Sequence, residues 1–374
     1  MEKSHVIVVG GGLAGLTAAI HLSKFNMKVT LIEKNEFPKH KVCGEYISNE
    51  VLPYLEWLEV NVSDLKPTRL TEFQFSTTNG TTIFSQLPLG GFGVSRYELD
   101  HFLYKKALSN GCIMIKDSVE DVVFHNEKFT ITTLNDTILS ADFVLGAFGK
   151  RSNIDVKLNR NHIQKKSPWL AVKAHYSGEF PANLVGLHNF NGGYCGVSKV
   201  ENNIVNICYL VEYDSFKRYK NVTDLQNAVV TQNPHLNEIF TNSTLLFEKP
   251  LTISQISFER KSPVEQHMLL IGDAAGLIHP LCGNGMAMAI HSAKMACDAI
   301  LSFENKISTT RKELEIKYSV NWRNKLGFRI KIGRILASIL LNSKRSEILL
   351  RILIKSPFLL RSIIKMTHGK PIKI

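Results

Sequence analysis

The stretch that most constrains this chain is HVIVVGGGLAGLTAAIHLSKFNMKVTLIEK, residues 5–34. His5–Val9 is a short apolar run of the kind that forms a buried parallel strand. Gly10, Gly12 and Gly15 follow as G-x-G-x-x-G, and Leu13, Leu16, Ala19, Ile20 and Leu22 give the next segment one apolar helical face. Lys28–Ile32 reads as a second strand closed by Glu33. The glycines have separate tasks. Gly10 permits the tight turn, Gly12 lets a pyrophosphate approach the helix N–H groups at Leu13 and Ala14, and Gly15 lets helix and strand pack closely. Glu33, with Lys34 beside it, stands where a carboxylate takes the ribose hydroxyls of an adenosine. The whole register predicts a dinucleotide site, and Glu33 would repel a 2′-phosphate.

The 374 residues are 44% apolar and 21% charged, enough for a large core in one or two domains. Cys43, Cys112, Cys195, Cys208, Cys282 and Cys297 are scattered, without C-x-x-C pairs or His clusters at metal spacing. No metal site or disulfide framework is expected, and a reducing cytoplasm fits. MEKSH runs directly into the first strand, so no signal peptide is expected, and no apolar run approaches the roughly 20 residues of a spanning helix. The net charge of +12 is uneven: residues 311–374 carry 16 Lys/Arg against 3 Asp/Glu.

Pro38 and Gly44 mark FPKHKVCGEYIS, 37–48, as a loop dense in Lys41, Cys43 and Glu45. From spacing alone, Cys43 is either a small buried hydrophobe or an active-site thiol. Residues 69–87 alternate as strands, with Asn79-Gly80 as the hairpin turn. Ser95 is placed to cap a helix through about 108, with Glu98 completing the box and Leu99, Phe102, Leu103 and Leu108 facing a core. Arg96 in its first turn opposes the helix dipole, so it is expected to serve an anion. Residues 112–147 and 169–213 read as further strands, and 223–243 as helix broken by Pro234. Met268–Ile271 is then a buried strand ending in Gly272-Asp273, at the strand end where such folds bind ligands. Pro280, Gly283, Asn284, Gly285 and Met286 lead into a long Ala/Met-rich helix.

GGGLAG with Glu33, LGAFGKRS (145–152) and GDAAGLIHPLCGNGM (272–286) together resemble the FAD-dependent oxidoreductases. That group includes geranylgeranyl reductases, p-hydroxybenzoate-hydroxylase-type monooxygenases and flavin-dependent halogenases, and the resemblance covers about residues 5–310. It implies an α/β fold of the glutathione reductase/p-hydroxybenzoate hydroxylase type. A Rossmann-like FAD-binding domain (1–68, 93–168 and 256–310) would carry an inserted, mainly antiparallel substrate sheet (69–92 and 169–255) and a basic helical C-terminus (311–374). It also implies noncovalent FAD, with Glu33 on the ribose, Arg96 (with Lys41) on the phosphate or ribityl side, Asp273 on a ribityl hydroxyl, and Pro280 and the Gly283–Met286 turn along the ring.

PKHKVCGEYIS resembles the P-x-x-K-x-C-G-E loop of the geranylgeranyl reductases, which would bring Cys43 to the active site with Gly44 and Glu45 lining it. FNGGYCGVS (190–198) resembles their prenyl-channel segment, so Tyr194 and Cys195 would line the substrate. Phe148-Gly149 replaces the family's Asp-Gly, which leaves the electron donor open between NAD(P)H and a ferredoxin-type carrier. The halogenases' Trp-x-Trp-x-Ile-Pro is absent.

The resulting expectation is hydride transfer from reduced flavin N5 to a carbon–carbon double bond of a hydrophobic lipid-like, isoprenoid or polyketide substrate. The alternatives are a monooxygenase hydroxylating a phenolic or polyketide substrate through a C4a-hydroperoxide, and a flavin-bound electron-transfer protein. The apolar-and-basic tail fits an anionic membrane surface, an acidic carrier protein, or a structural cap on the flavin domain. No nucleic-acid motif supports a nucleic-acid partner. The expected location is the cytoplasm, peripheral to the inner membrane face if the tail binds lipid.

Overall fold

The computed structural model describes residues 3–165, 167–307 and 310–374. Its first elements are β1 (His5–Val9), α1 (Leu13–Lys24) and β2 (Lys28–Glu33), with Val8 opposite Leu31 in a parallel pair. The loop expected over 37–48 ends early: Tyr46–Ser48 forms β3, before α2 (Leu52–Trp57). The hairpin β4 (Thr68–Ser76) and β5 (Thr82–Gly93) turns at Gly80, whose φ of +83° suits glycine. β3 pairs with the far end of β5, so a segment assigned to the nucleotide domain contributes an edge strand to the other sheet.

Ser95 caps α3 (Arg96–Ser109), its hydroxyl accepting from Glu98 N at 3.1 Å. The return bond expected from Glu98 is taken by a distant carboxylate instead: Ser95 N donates to Glu201 Oε2 at 2.7 Å. Leu99 and Leu103 are buried and Phe102 is half-buried, but Leu108 is 42% exposed. Ala107 takes the core position, since it continues the i, i+4, i+8 row begun by Leu99 and Leu103.

Strands β6 (Ile113–Lys116), β7 (Val119–His125), β8 (Lys128–Thr133), β9 (Ile138–Ala141) and β10 (Phe143–Gly146) follow, then short helices α4 (Asn153–Lys157) and α5 (Asn161–Gln164). Next come β11 (Trp169–Gly178) and a meander of β12 (Leu184–Phe190), β13 (Gly193–Lys199) and β14 (Val205–Glu212), with β11 returning beside β14, and then α6 (Tyr213–Tyr219), α7 (Val222–Ala228) and α8 (Pro234–Thr241). Pro234 stands at the start of α8, where its missing N–H costs nothing. After β15 (Ser243–Leu245), β16 (Leu251–Ser254), β17 (Val264–Glu265) and β18 (Met268–Leu270), the described residues continue through five α-helices. These are α9 (Gly285–Glu304), α10 (Arg311–Trp322), α11 (Phe328–Leu340), α12 (Ser343–Lys355) and α13 (Pro357–Thr367).

The described residues form three sheets. The first runs β17-β18-β10-β1-β2-β6, parallel except at β17. The second has nine strands in the order β15-β11-β14-β13-β12-β4-β5-β3, with β16 also on β11. It is antiparallel apart from the β4–β12 pair. The third is β7-β8-β9. One apolar core joins the first sheet, α1, α3, α9 and the C-terminal helices, and a second lies between the large sheet and α6–α8. This is the expected layered α/β architecture with a mainly antiparallel second sheet and a helical C-terminus.

Candidate active site

The glycine turn after β1 is built by exclusion of side chains. Gly10 has φ +107°, and a Cβ there would lie 2.6 Å from the Ala147 carbonyl oxygen. A Cβ on Gly15 would lie 2.0 Å from the Gly10 carbonyl oxygen, so Gly15 sets how closely α1 approaches the turn; it does not itself border the cavity. Gly12 differs from both. Its Cβ would meet nothing within 4 Å, and it begins α1 with no side-chain cap, so the uncapped first turn borders the cavity at Gly12, Leu13 and Ala14. Glu33 frames that space, accepting from Gly11 N at 2.7 Å, Asn35 N at 2.9 Å and Asn35 Nδ2 at 2.6 Å. A carboxylate has about four acceptor positions, which leaves room for a ribose hydroxyl. Lys34 lies in the same wall.

The opposite wall is the turn after β18. Gly272 and Gly283 adopt φ of +60° and +63°. Asp273 borders the cavity while its carbonyl accepts from Lys261 Nζ at 2.8 Å. Gly272, Pro280, Gly283, Gly285 and Met286 also border it. Asn284 does not: its side chain turns to the C-terminus, Nδ2 donating to the Thr367 carbonyl at 2.8 Å. The N-terminus of α9 therefore carries no side-chain cap. Two uncapped helix N-termini, of α1 and α9, thus open on one cavity with their positive ends.

The loop carrying Lys41, Cys43, Gly44 and Glu45 joins these walls. Arg96 finds its anion four residues on: Nε and Nη2 each donate to the Asp100 carboxylate at 2.7 Å, and Lys41 Nζ reaches the same group at 2.8 Å. Burial alone would raise the Asp100 pKa, but these two cations outweigh it and lower it. For Arg96, burial acts downward; Asp100 and the neighbouring Cys43 sulfur reverse this and the net shift is upward. Asp100 thus fixes two cations on the rim beside Cys43.

Glu45 is fully buried in the left-handed region at φ 54°. It accepts from Arg96 N at 2.8 Å, Lys173 Nζ at 3.1 Å and His175 Nε2 at 2.7 Å. Asp100, Lys173 and His175 were not singled out from the sequence. Arg96/Asp100 is an i, i+4 ion pair, and Lys173 and His175 alternate with the apolar Val172 and Ala174 along β11, so each left a local trace.

These walls enclose a cavity of about 1110 Å³. Single-ligand pockets run to roughly 300–1,000 Å³, so the cavity is large enough for a dinucleotide-sized cofactor. One arm is polar, bordered by Glu33, Asn35, Lys150, Ser152 and Asp273. The other is apolar, between Phe73, Phe75 and Leu187 of the large sheet and Leu340, Leu353 and Leu360 of the C-terminal helices. Tyr194 lines it. Cys195 does not: alternation along β13 sends its side chain into the second core, fully buried. The tail, for which a membrane surface, a carrier-protein contact and a cap on the flavin domain were all open, roofs the apolar arm.

The uncapped α1 terminus, the open space over Gly12 and the free acceptor capacity of Glu33 fit the pyrophosphate and ribose of FAD, and the cavity is large enough for its ring system. Fold and site together define an FAD-dependent oxidoreductase. Residues 3–308 match a family model described as an FAD binding domain, and the chain belongs to that family. The digeranylgeranylglycerophospholipid reductase of Methanosarcina acetivorans is 23% identical over 364 residues, covering 92% of this chain and 86% of its own. A geranylgeranyl bacteriochlorophyll reductase-like structure from Thermoplasma acidophilum aligns at TM-score 0.73 and 20% identity, over 91% of this chain and 88% of that one. A flavin-dependent brominase structure aligns at TM-score 0.78 and 17% identity, over 97% and 93%. Reductases and halogenases therefore share this fold.

Proposed function

We propose that the protein saturates a carbon–carbon double bond of a hydrophobic, isoprenoid-like substrate. The observation that carries this reading is the apolar arm, which continues from the flavin cradle and is roofed by Leu340, Leu353 and Leu360. The reductases among its relatives act on polyprenyl lipids by name and support the same class. Bound and reduced, FAD would supply the hydride. The chain's residues supply the rest. Aliphatic walls hold the substrate and exclude water, which strengthens electrostatic interactions at the junction of the two arms. Saturation also requires one proton, and we place the Cys43 thiol, half-buried beside Arg96, as its donor. Asp100 positions Arg96, and the Glu45–Lys173–His175 cluster fixes the loop that carries Cys43.

The test is anaerobic. Dithionite-reduced protein mixed with polyprenyl lipids is expected to regain its yellow colour as the lipid gains one H₂ per flavin by mass. Recovery of colour only on admitting oxygen, with oxygen in the product, overturns the reading in favour of hydroxylation. Replacing dithionite by NADH, NADPH or a reduced ferredoxin identifies the donor. Cys43→Ser should keep its flavin yet slow the lipid-driven step by about 10²-fold. An unchanged rate would make Cys43 a packing residue.

A further inference from the structure

Helices α12 and α13 are apolar on two faces, and the fold covers only one. Leu349, Leu353, Leu360 and Ile364 point inward, where they border the cavity. Outward, Ile348 is 60% exposed, Ile352 50% and Phe358 81%. An aliphatic and aromatic stripe of this kind on a free surface marks an interaction site.

Charge identifies the partner. Residues 343–374 hold 8 Lys/Arg and one acid, Glu347. The Glu347 carboxylate accepts from Asn79 Nδ2 at 2.9 Å. Arg345, Arg351, Lys355, Arg361 and Lys365 are all exposed along the outer stripe. None of them has an ion-pair partner among the described residues. Long cationic side chains flanking apolar ones bury their stems at a membrane interface and hold their heads among anionic phosphates. No described helix is long and apolar enough to cross a bilayer, so the contact this surface offers is interfacial.

We infer that the outer face of α12–α13 lies on an anionic phospholipid bilayer, placing the roof of the apolar arm at the lipid surface. A substrate chain dissolved in the bilayer then has a short path between these helices into the cavity. That last clause rests on the lipid-reductase reading; the bilayer contact does not.

The test is flotation of the FAD-bound full chain with phosphatidylcholine vesicles and with vesicles enriched in phosphatidylglycerol. The protein should float with the anionic vesicles, and less so in high salt. Ile352→Asp/Phe358→Asp changes two exposed positions and should reduce partitioning at least about tenfold with flavin content and melting temperature unchanged. Arg351→Glu/Arg361→Glu should remove the preference for anionic vesicles. No flotation of the wild-type protein, or equal flotation of both variants and wild type, overturns the proposal. The readout contains no substrate, so a protein that floats yet reduces no lipid would refute only the reductase reading, and one that reduces lipid without floating only this one.

Discussion

Glu45→Gln is expected to destabilise the folded protein by about 3–5 kcal/mol and to depress turnover with it. The substitution keeps the shape and the left-handed backbone but removes the charge. Lys173, fully buried, is then left with no carboxylate against its Nζ, beside the Phe247 ring 5.1 Å away. Leaving one member of a buried pair uncompensated is what makes the loss large. Lys173→Met in the same chain should recover part of it, because an apolar side chain of similar length replaces the stranded charge. The pH dependence has a definite sign. Burial pushes the Glu45 carboxyl up, but the His175 hydrogen bond and the Lys173 charge prevail, so its pKa falls below the ordinary 4.5. A depressed folded pKa contributes stability above the unfolded value and loses it as pH falls through the folded one. The gap between wild type and Glu45→Gln, measured by urea unfolding, should therefore be full near neutrality, begin to close as pH falls below about 4.5 and be lost as it falls through the lower folded value. A constant gap across that range would detach the effect from ionisation.

What was legible in the sequence was what local chemistry determines. The G-x-G-x-x-G turn with its flanking strands is a contiguous instruction, and β1, α1 and β2 lie where it places them. The Asn79-Gly80 turn and the Ser95 cap are equally local. Errors arose where a side chain had a choice of faces or a distant partner. Cys195 was one residue from Tyr194, and the pleat separates the two completely. Asn284 sits within the right turn but is claimed by Thr367, 83 residues on. Ser95 N is claimed by Glu201 rather than its near neighbour Glu98. Glu45 was singled out, but Lys173 and His175 lie about 130 residues downstream and pair with it only because β11 crosses beneath the loop.

The tail shows the same limit from the other side. Its amphipathic pattern was visible, but not that its inner stripe would complete the cavity. Long-range ties fix it there: Arg329 Nη1 donates to the buried Glu50 at 3.0 Å, and Ile372 N donates to the Glu50 carbonyl at 2.8 Å. With Asn284 holding Thr367, the end of α13 is secured to the turn that leads into α9. The helices that wall the apolar arm are therefore connected through hydrogen bonds to the turn that leads into α9.

Gly12→Glu is expected to give a folded but colourless protein. Gly12 has φ −78° and ψ 179°, which any residue adopts, and its Cβ direction is open. A carboxylate there also sits at the positive end of α1, an interaction worth about 0.3–1 kcal/mol in favour of the fold. The apoprotein should therefore melt at or slightly above the wild-type temperature. The same carboxylate would occupy and repel the place we assign to the pyrophosphate, and flavin affinity should fall by at least about 100-fold, or 2.7 kcal/mol. Gly15→Ala supplies the contrast. A Cβ 2.0 Å from the Gly10 carbonyl oxygen must push α1 away from the turn, so that variant should lose stability and flavin together. The ratio of flavin to protein absorbance, read beside the melting curve of each apoprotein, separates the two outcomes. A yellow Gly12→Glu protein would mean that the cofactor's phosphates do not lie at the N-terminus of α1.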